Sequence, residues 1–151
     1  MKSGLNELRG AAFALAVATN KVQTVALAML ETAGIAHFFP VVVGSDMVPL
    51  PKPHPALGFL TAECLHAQPV NCVMIGDTPH DVQMARAAGR RSVALTHGTH
   101  DHERLQPVEP TIVLQSYGET VKWLIAQGRQ GPRGETCARS LPSLSIRQRT
   151  R

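Results

Sequence analysis

The stretch Cys72-Val-Met-Ile-Gly-Asp-Thr-Pro-His-Asp81 constrains the fold of this chain more than any other. Val73 to Ile75 form a short apolar run that ends at Gly76, and two carboxylates, Asp77 and Asp81, then bracket a Thr-Pro pair suited to opening a helix. Such a run reads as a buried strand that delivers an acid to its carboxyl end, where open α/β sheets bind their ligands. The second acid falls in the first helical turn, where the helix dipole favours negative charge. Paired hard-oxygen donors beside a helix N-terminus could hold Mg²⁺ and a phosphate together.

The chain around it alternates in the same way. Leu5 to Arg9 reads as a helix end closed by Gly10, and Ala12 to Ala18 is an apolar run of strand length, as in a parallel strand covered on both faces. Asn20 is placed to cap the next helix, with Gln23 as its capping-box partner. Val22, Val25, Ala26, Met29, Leu30 and Ala33 then mark one helical face that stops at Gly34. Phe39 to Val43 is a second strand, broken by Gly44. The four prolines of Val48-Pro-Leu-Pro-Lys-Pro-His-Pro55 dictate an ordered loop that fixes where Lys52 points. Pro55 opens a helix to about His66 with Leu57, Leu60 and Cys64 inward. After the central stretch, Val82, Ala85 and Ala88 line a helix that ends at Gly89, Arg91 to Thr96 and Thr111 to Leu114 are strands, and Val121, Leu124 and Ile125 mark a last helix.

This alternation predicts a doubly wound, mostly parallel, Rossmann-like α/β sheet over residues 1–126. From Gln127 on, glycine, proline, serine and arginine replace the periodic apolar residues, so 127–151 is expected to be a disordered basic tail. Six arginines against Glu135 give that tail +5, which leaves −1 of the formal +4 for everything else. The basic balance therefore does not argue for a nucleic-acid-binding face on the fold. Any polyanion binding by the tail would be weak and blind to sequence. No apolar run reaches the length of a membrane helix. Ala16-Val-Ala18 mimics a signal-peptidase site, but its flank carries Glu7 and Thr19 onward continues as a turn and helix. Three cysteines without C-x-x-C spacing suit a reducing cytoplasm, with Cys64 and Cys72 as small core residues.

Thr19, Lys52 and Asp77 follow the first three strands and converge on one crevice of such a sheet. A hydroxyl, an ammonium and a carboxylate there are an inventory for a phosphoryl group and its Mg²⁺. His97, His100, Asp101 and His102 fit no known zinc spacing and read as a polar loop near the site mouth.

Val17-Ala-Thr-Asn20, Lys52-Pro-His-Pro55 and Gly76-Asp-Thr-Pro-His-Asp81 together resemble motifs two, three and four of the haloacid dehalogenase superfamily. In detail they resemble its phosphoglycolate phosphatase-like branch, as do the separations of 33 and 25 residues and Ala85-Arg-Ala-Ala-Gly89 before a strand. The resemblance implies that Thr19 bonds the transferring phosphoryl group with Asn20 assisting, and that Lys52 neutralises charge. It further implies that Asp77 coordinates Mg²⁺ and that Asp81 supports the metal shell or orients Lys52. The substrate class implied is a small phosphorylated metabolite, phosphoglycolate leading.

The family's first motif, an Asp-x-Asp strand end carrying nucleophile and general acid/base, belongs upstream of Thr19. Residues 1–18 contain no aspartate, and the cap domain that lies between the first and second motifs is absent as well. The chain is therefore expected to be N-terminally truncated and inactive alone. Its sheet is expected to lack the element between the strands ending at Thr19 and Asp77, which a strand-supplying partner chain would complete. The alternative is a non-catalytic module that binds phosphate or a partner.

Overall fold

The computed structural model describes residues 1–96 and 105–128. Helices and strands alternate as α1 (Lys2–Gly10), β1 (Ala16–Ala18), α2 (Gln23–Thr32), β2 (Val41–Val43), α3 (Ala56–Cys64) and β3 (Val73–Gly76). They continue as α4 (Pro79–Ala87), β4 (Arg91–Leu95), β5 (Ile112–Leu114) and α5 (Tyr117–Gly128). The histidine-rich stretch at His97, His100, Asp101 and His102 and the basic stretch from Arg129 lie outside the described residues. Among the described residues, no helix is long and apolar enough to cross a membrane.

Every strand pairing is parallel, as the alternation predicts. Val17 lies opposite Val42 in the β1–β2 pair, Ile75 opposite Val93 in β3–β4, and Ala94 opposite Val113 in β4–β5. Among the described residues the β structure is in two parts, β1–β2 and β3–β4–β5, with no ladder between them. Helices cover both faces. Val73 and Ile75 of β3 pack with Leu8 of α1 and with Val121 and Leu124 of α5. Met74, pointing the other way, packs with Leu57 of α3, Met84 of α4 and Val43 of β2.

Local chemistry sets most of the boundaries. Gly34 and Gly89 adopt left-handed conformations, with φ of 64° and 66°, and stop α2 and α4 where their sequence places them. Thr78 is the N-cap of α4, Pro79 opens it, and Asp81 closes a reciprocal capping box. Three expectations need correction. The first strand is only Ala16–Ala18, because the chain between α1 and β1 turns at Ala11 and Ala12. Cys64 is exposed at the last turn of α3, so it is no core residue. The expected inner face of α2 is largely uncovered: Ala26 is buried, but Val22, Val25 and Met29 are 43%, 47% and 53% exposed. Periodicity marks the helix, but the described neighbours cover only part of its apolar surface.

Gly4 lets α1 lie directly on Tyr117 and Val121 of α5, since a Cβ there would overlap both side chains. The Tyr117 hydroxyl is buried and has no hydrogen-bond partner among the described residues. Burial raises its pKa above the usual 10.0, and the charge of Glu7 adds to the rise. The neutral phenol is thus favoured in the folded state. Its contribution is complete below the unfolded pKa and is lost as pH rises through the elevated folded value. Tyr117→Phe should raise stability at neutral pH by about 1 kcal/mol, because an unsatisfied hydroxyl is removed. It should also flatten the alkaline fall; urea denaturation at neutral pH and above the phenol's ordinary pKa measures both effects.

Candidate functional site

The carboxyl ends of β1 and β3 meet at Lys52. Its ammonium donates to the Ala18 carbonyl oxygen at 2.6 Å and to Asp81 Oδ1 at 2.7 Å. The Lys52 and Asp81 side chains are 8% and 9% exposed, so this is a buried ion pair. Burying two charges is costly, and the pair is tolerable because further hydrogen bonds satisfy the carboxylate and engage two of the three ammonium N–H groups. The second oxygen of Asp81, Oδ2, accepts the Thr78 hydroxyl at 2.7 Å and the Thr78 backbone N–H at 3.2 Å. One carboxylate therefore caps α4 and holds the lysine. Both of its oxygens are engaged, an arrangement that orients Lys52.

The backbone of Lys52 is fixed as firmly as its head. Asn20 Oδ1 accepts the Lys52 N–H at 2.8 Å, and Asn20 Nδ2 donates to the Lys52 carbonyl at 3.3 Å. Asn20 does not cap α2, as its position suggests; its amide is spent on the proline loop. The cap comes from Asp46, whose Oδ1 accepts the Gln23 N–H at 2.8 Å. Gln23 does not reach back to Asn20 either, because its side chain donates to the Val42 carbonyl at 2.9 Å. Two glycines make these approaches possible. A Cβ on Gly44 would fall on the Gln23 backbone and Asp46, and one on Gly76 would fall inside the Asp81 carboxyl.

Thr19 follows β1 directly. Its N–H donates to the Val43 carbonyl at 3.0 Å, and its Oγ1 accepts the Lys21 N–H at 3.2 Å, which leaves the hydroxyl proton to donate. Lys52 carries three N–H donors, of which two have acceptors among the described residues. Asp77 follows β3 and is half-buried beside Thr78. The structure thus joins Lys52 to Asp81 and Asn20, sets Thr19 one residue beyond the lysine's Ala18 contact, and sets Asp77 at the end of the facing strand. Sequence reasoning missed Asp46 and the Thr78 hydroxyl. The Thr-x-x-Asp spacing of a capping box was the available signal for Thr78. Nothing in the sequence pairs Asp46 with Gln23.

Among the described residues no group of three His, Cys, Asp or Glu side chains forms a complete metal cage. Asp77 is a hard oxygen donor at a strand end, and Mg²⁺ commonly takes one or two carboxylates and keeps water or phosphate in its other positions. That donor type fits this ion.

A fold of parallel strands covered by helices agrees with what solved structures of similar proteins show. The haloacid dehalogenase-like hydrolase family matches residues 1–95. The chain belongs to that family. It is 42% identical over 118 residues to the Dickeya dadantii protein named Probable phosphatase IndB, covering 78% of this chain and 51% of that protein. It is 36% identical over 115 residues to phosphoglycolate phosphatase of Escherichia coli K12, covering 76% and 46%. Among solved structures, a predicted phosphoglycolate phosphatase from Haemophilus somnus superposes with a TM-score of 0.76 at 28% identity, covering 82% of this chain and 55% of that one. A HAD phosphatase from Thermococcus onnurineus superposes with a TM-score of 0.70 at 26% identity, covering 81% and 55%. The chain spans about half the length of the curated relatives it matches.

Lys52→Met would strand a buried carboxylate and should cost about 3–5 kcal/mol. Adding Asp81→Asn to that variant should recover part of the loss, since the amide oxygen still accepts from Thr78 without a buried charge. A double-mutant cycle by urea denaturation reads the coupling, and additive losses would show that the pair contributes nothing.

Proposed function

We propose that the crevice at the carboxyl ends of β1 and β3 binds the phosphoryl group of a small phosphomonoester, as part of a Mg²⁺-dependent phosphatase. Phosphoglycolate is the leading candidate substrate. The observation that carries this reading is a pair of donors with no acceptor among the described residues, the third N–H of Lys52 and the hydroxyl of Thr19, beside one another at the end of β1. Both suit the oxygens of an anion, and the ammonium adds charge. Phosphoglycolate phosphatases at 36% identity support the choice of substrate.

In this reading Lys52 neutralises charge on the phosphoryl group and Thr19 orients one of its oxygens. Asp81 and Thr78 hold the ammonium in place from below, and Asn20 acts through the Lys52 backbone rather than on the phosphate. Asp77 would hold Mg²⁺, which when bound supplies further charge neutralisation of the phosphate oxygens. Residues 1–18 contain no aspartate, and among the described aspartates Asp46 caps a helix and Asp81 pairs with Lys52. The 151-residue chain by itself therefore binds phosphomonoesters without turning them over. The free thiols of Cys64 and Cys72 suit a reducing cytoplasmic setting.

Calorimetric titration of the chain with phosphoglycolate and Mg²⁺ should detect binding. Lys52→Met and Thr19→Val should each weaken it about tenfold, the order expected for loss of a charged or anion-directed hydrogen bond. Hydrolysis of para-nitrophenyl phosphate should be absent. Turnover that disappeared in Asp77→Asn would show a complete catalyst and overturn the binding-only part of the reading. Unchanged affinity in both binding variants would overturn the site.

A further inference from the structure

Thr19 enters the crevice on a turn that is exposed at Lys21 and Val22 before the chain becomes α2. An exposed turn samples several conformations unless contacts from outside fix it. Those contacts come from the segment that leaves β2. Ser45 donates its N–H to the Lys21 carbonyl at 3.0 Å, and Asp46 Oδ1 accepts the Gln23 N–H at 2.8 Å. Gly44 permits the approach, because a Cβ there would fall on the Gln23 backbone.

The effect reaches the Thr19 side chain through one bond. With Lys21 and Gln23 held from the β2 side, the Lys21 N–H is directed at Thr19 Oγ1, 3.2 Å away. That bond fills an acceptor position of the hydroxyl and fixes the side-chain rotamer, so the direction left for the hydroxyl proton is fixed with it. Asp46 thus stands at the head of a chain of contacts that runs through Gln23 and Lys21 to Thr19.

From this chain we propose that Asp46 is a positioning residue for phosphoryl binding: by capping α2 it holds the turn at Lys21 and so sets the direction in which Thr19 donates. The inference rests on the phosphoryl-binding reading of the crevice. Asp46 is exposed and acts through the backbone, since a carboxylate has no proton to give a phosphate and its charge opposes one. Two simpler roles predict different signs. By charge alone, removing a carboxylate from the loop that leads to Lys52 would tighten the binding of an anion. As a helix cap alone, Asp46 would change stability and leave affinity where it was. As a positioning residue, its removal weakens binding.

The test is calorimetric titration of the 151-residue chain with phosphoglycolate and Mg²⁺, paired with three-bond NMR couplings across the Thr19 Cα–Cβ bond in the ligand-free chain. Asp46→Ala should weaken binding about tenfold, the order expected for Thr19→Val, because it acts through that hydroxyl. Asp46→Asn keeps an oxygen acceptor for the Gln23 N–H and should stay within about twofold of the parent chain. In a Thr19→Val background, Asp46→Ala should cause no further loss. The couplings should report one Thr19 rotamer in the parent and in Asp46→Asn, and an average over rotamers in Asp46→Ala. Unchanged or tighter binding in Asp46→Ala, an equal loss in Asp46→Asn, or additive losses with Thr19→Val would overturn the proposal. Absence of binding by the parent chain would overturn the phosphoryl reading itself, whereas a Thr19 rotamer unchanged in Asp46→Ala would overturn the role of Asp46 whether or not a ligand binds.

Discussion

The buried ion pair between Lys52 and Asp81 is the contact on which the rest of the site depends. It ties the end of β1, through the Ala18 carbonyl, to the first turn of α4 beyond β3, across a break that no backbone hydrogen bond spans. Two charges that are each less than a tenth exposed are maintained only where their remaining hydrogen-bonding capacity is met. Thr78 meets it for the carboxylate and Ala18 for two-thirds of the ammonium's needs jointly with Asp81. What remains is one lysine N–H without an acceptor among the described residues. Structure and the proposed chemistry thus share one arrangement: the same groups that join two pieces of sheet would leave a cation to address an anion.

Around that pair, two of the supporting contacts are close approaches that only glycine allows. Gly76 allows the Asp81 carboxyl to sit against the end of β3, and Gly44 allows the chain after β2 to lie against the start of α2. Asp46 caps α2 across 23 residues of sequence, which anchors the turn that carries Thr19 and Asn20. Asn20 in turn grips both polar atoms of the Lys52 backbone. Two loops distant in sequence are therefore locked to one another, so the proposed phosphoryl binding would order little further chain. That preorganisation is what an electrostatic site requires.

Much of this was legible before any coordinates. The alternation of short apolar runs with helical periodicity gave the parallel α/β class, Gly34 and Gly89 gave two helix stops, and Thr78-Pro79 gave the start of α4. Motif order gave Thr19, Lys52, Asp77 and Asp81 as one group. Other readings failed for identifiable reasons. Asn20 looks like a cap because its side chain can serve any nearby backbone group, and a long-range partner won. Met29 and Val25 look like core because periodicity reports a helix's apolar face without reporting what covers it. Ala12 looks like strand because a small apolar residue suits a turn equally well.

The sequence by itself determined the local elements and the chemical types brought to the crevice, because capping, glycine stops and apolar periodicity are short-range effects written in neighbouring residues. Only the tertiary structure decided how those types divide their work. It placed both Asp81 oxygens on Lys52 and Thr78, turned Asn20 to the lysine's backbone, recruited Asp46 as a cap, and divided the described strands into two ladders. Those outcomes are contests among distant groups for the same hydrogen bonds and the same space. They are settled by three-dimensional proximity, which the order of residues does not state.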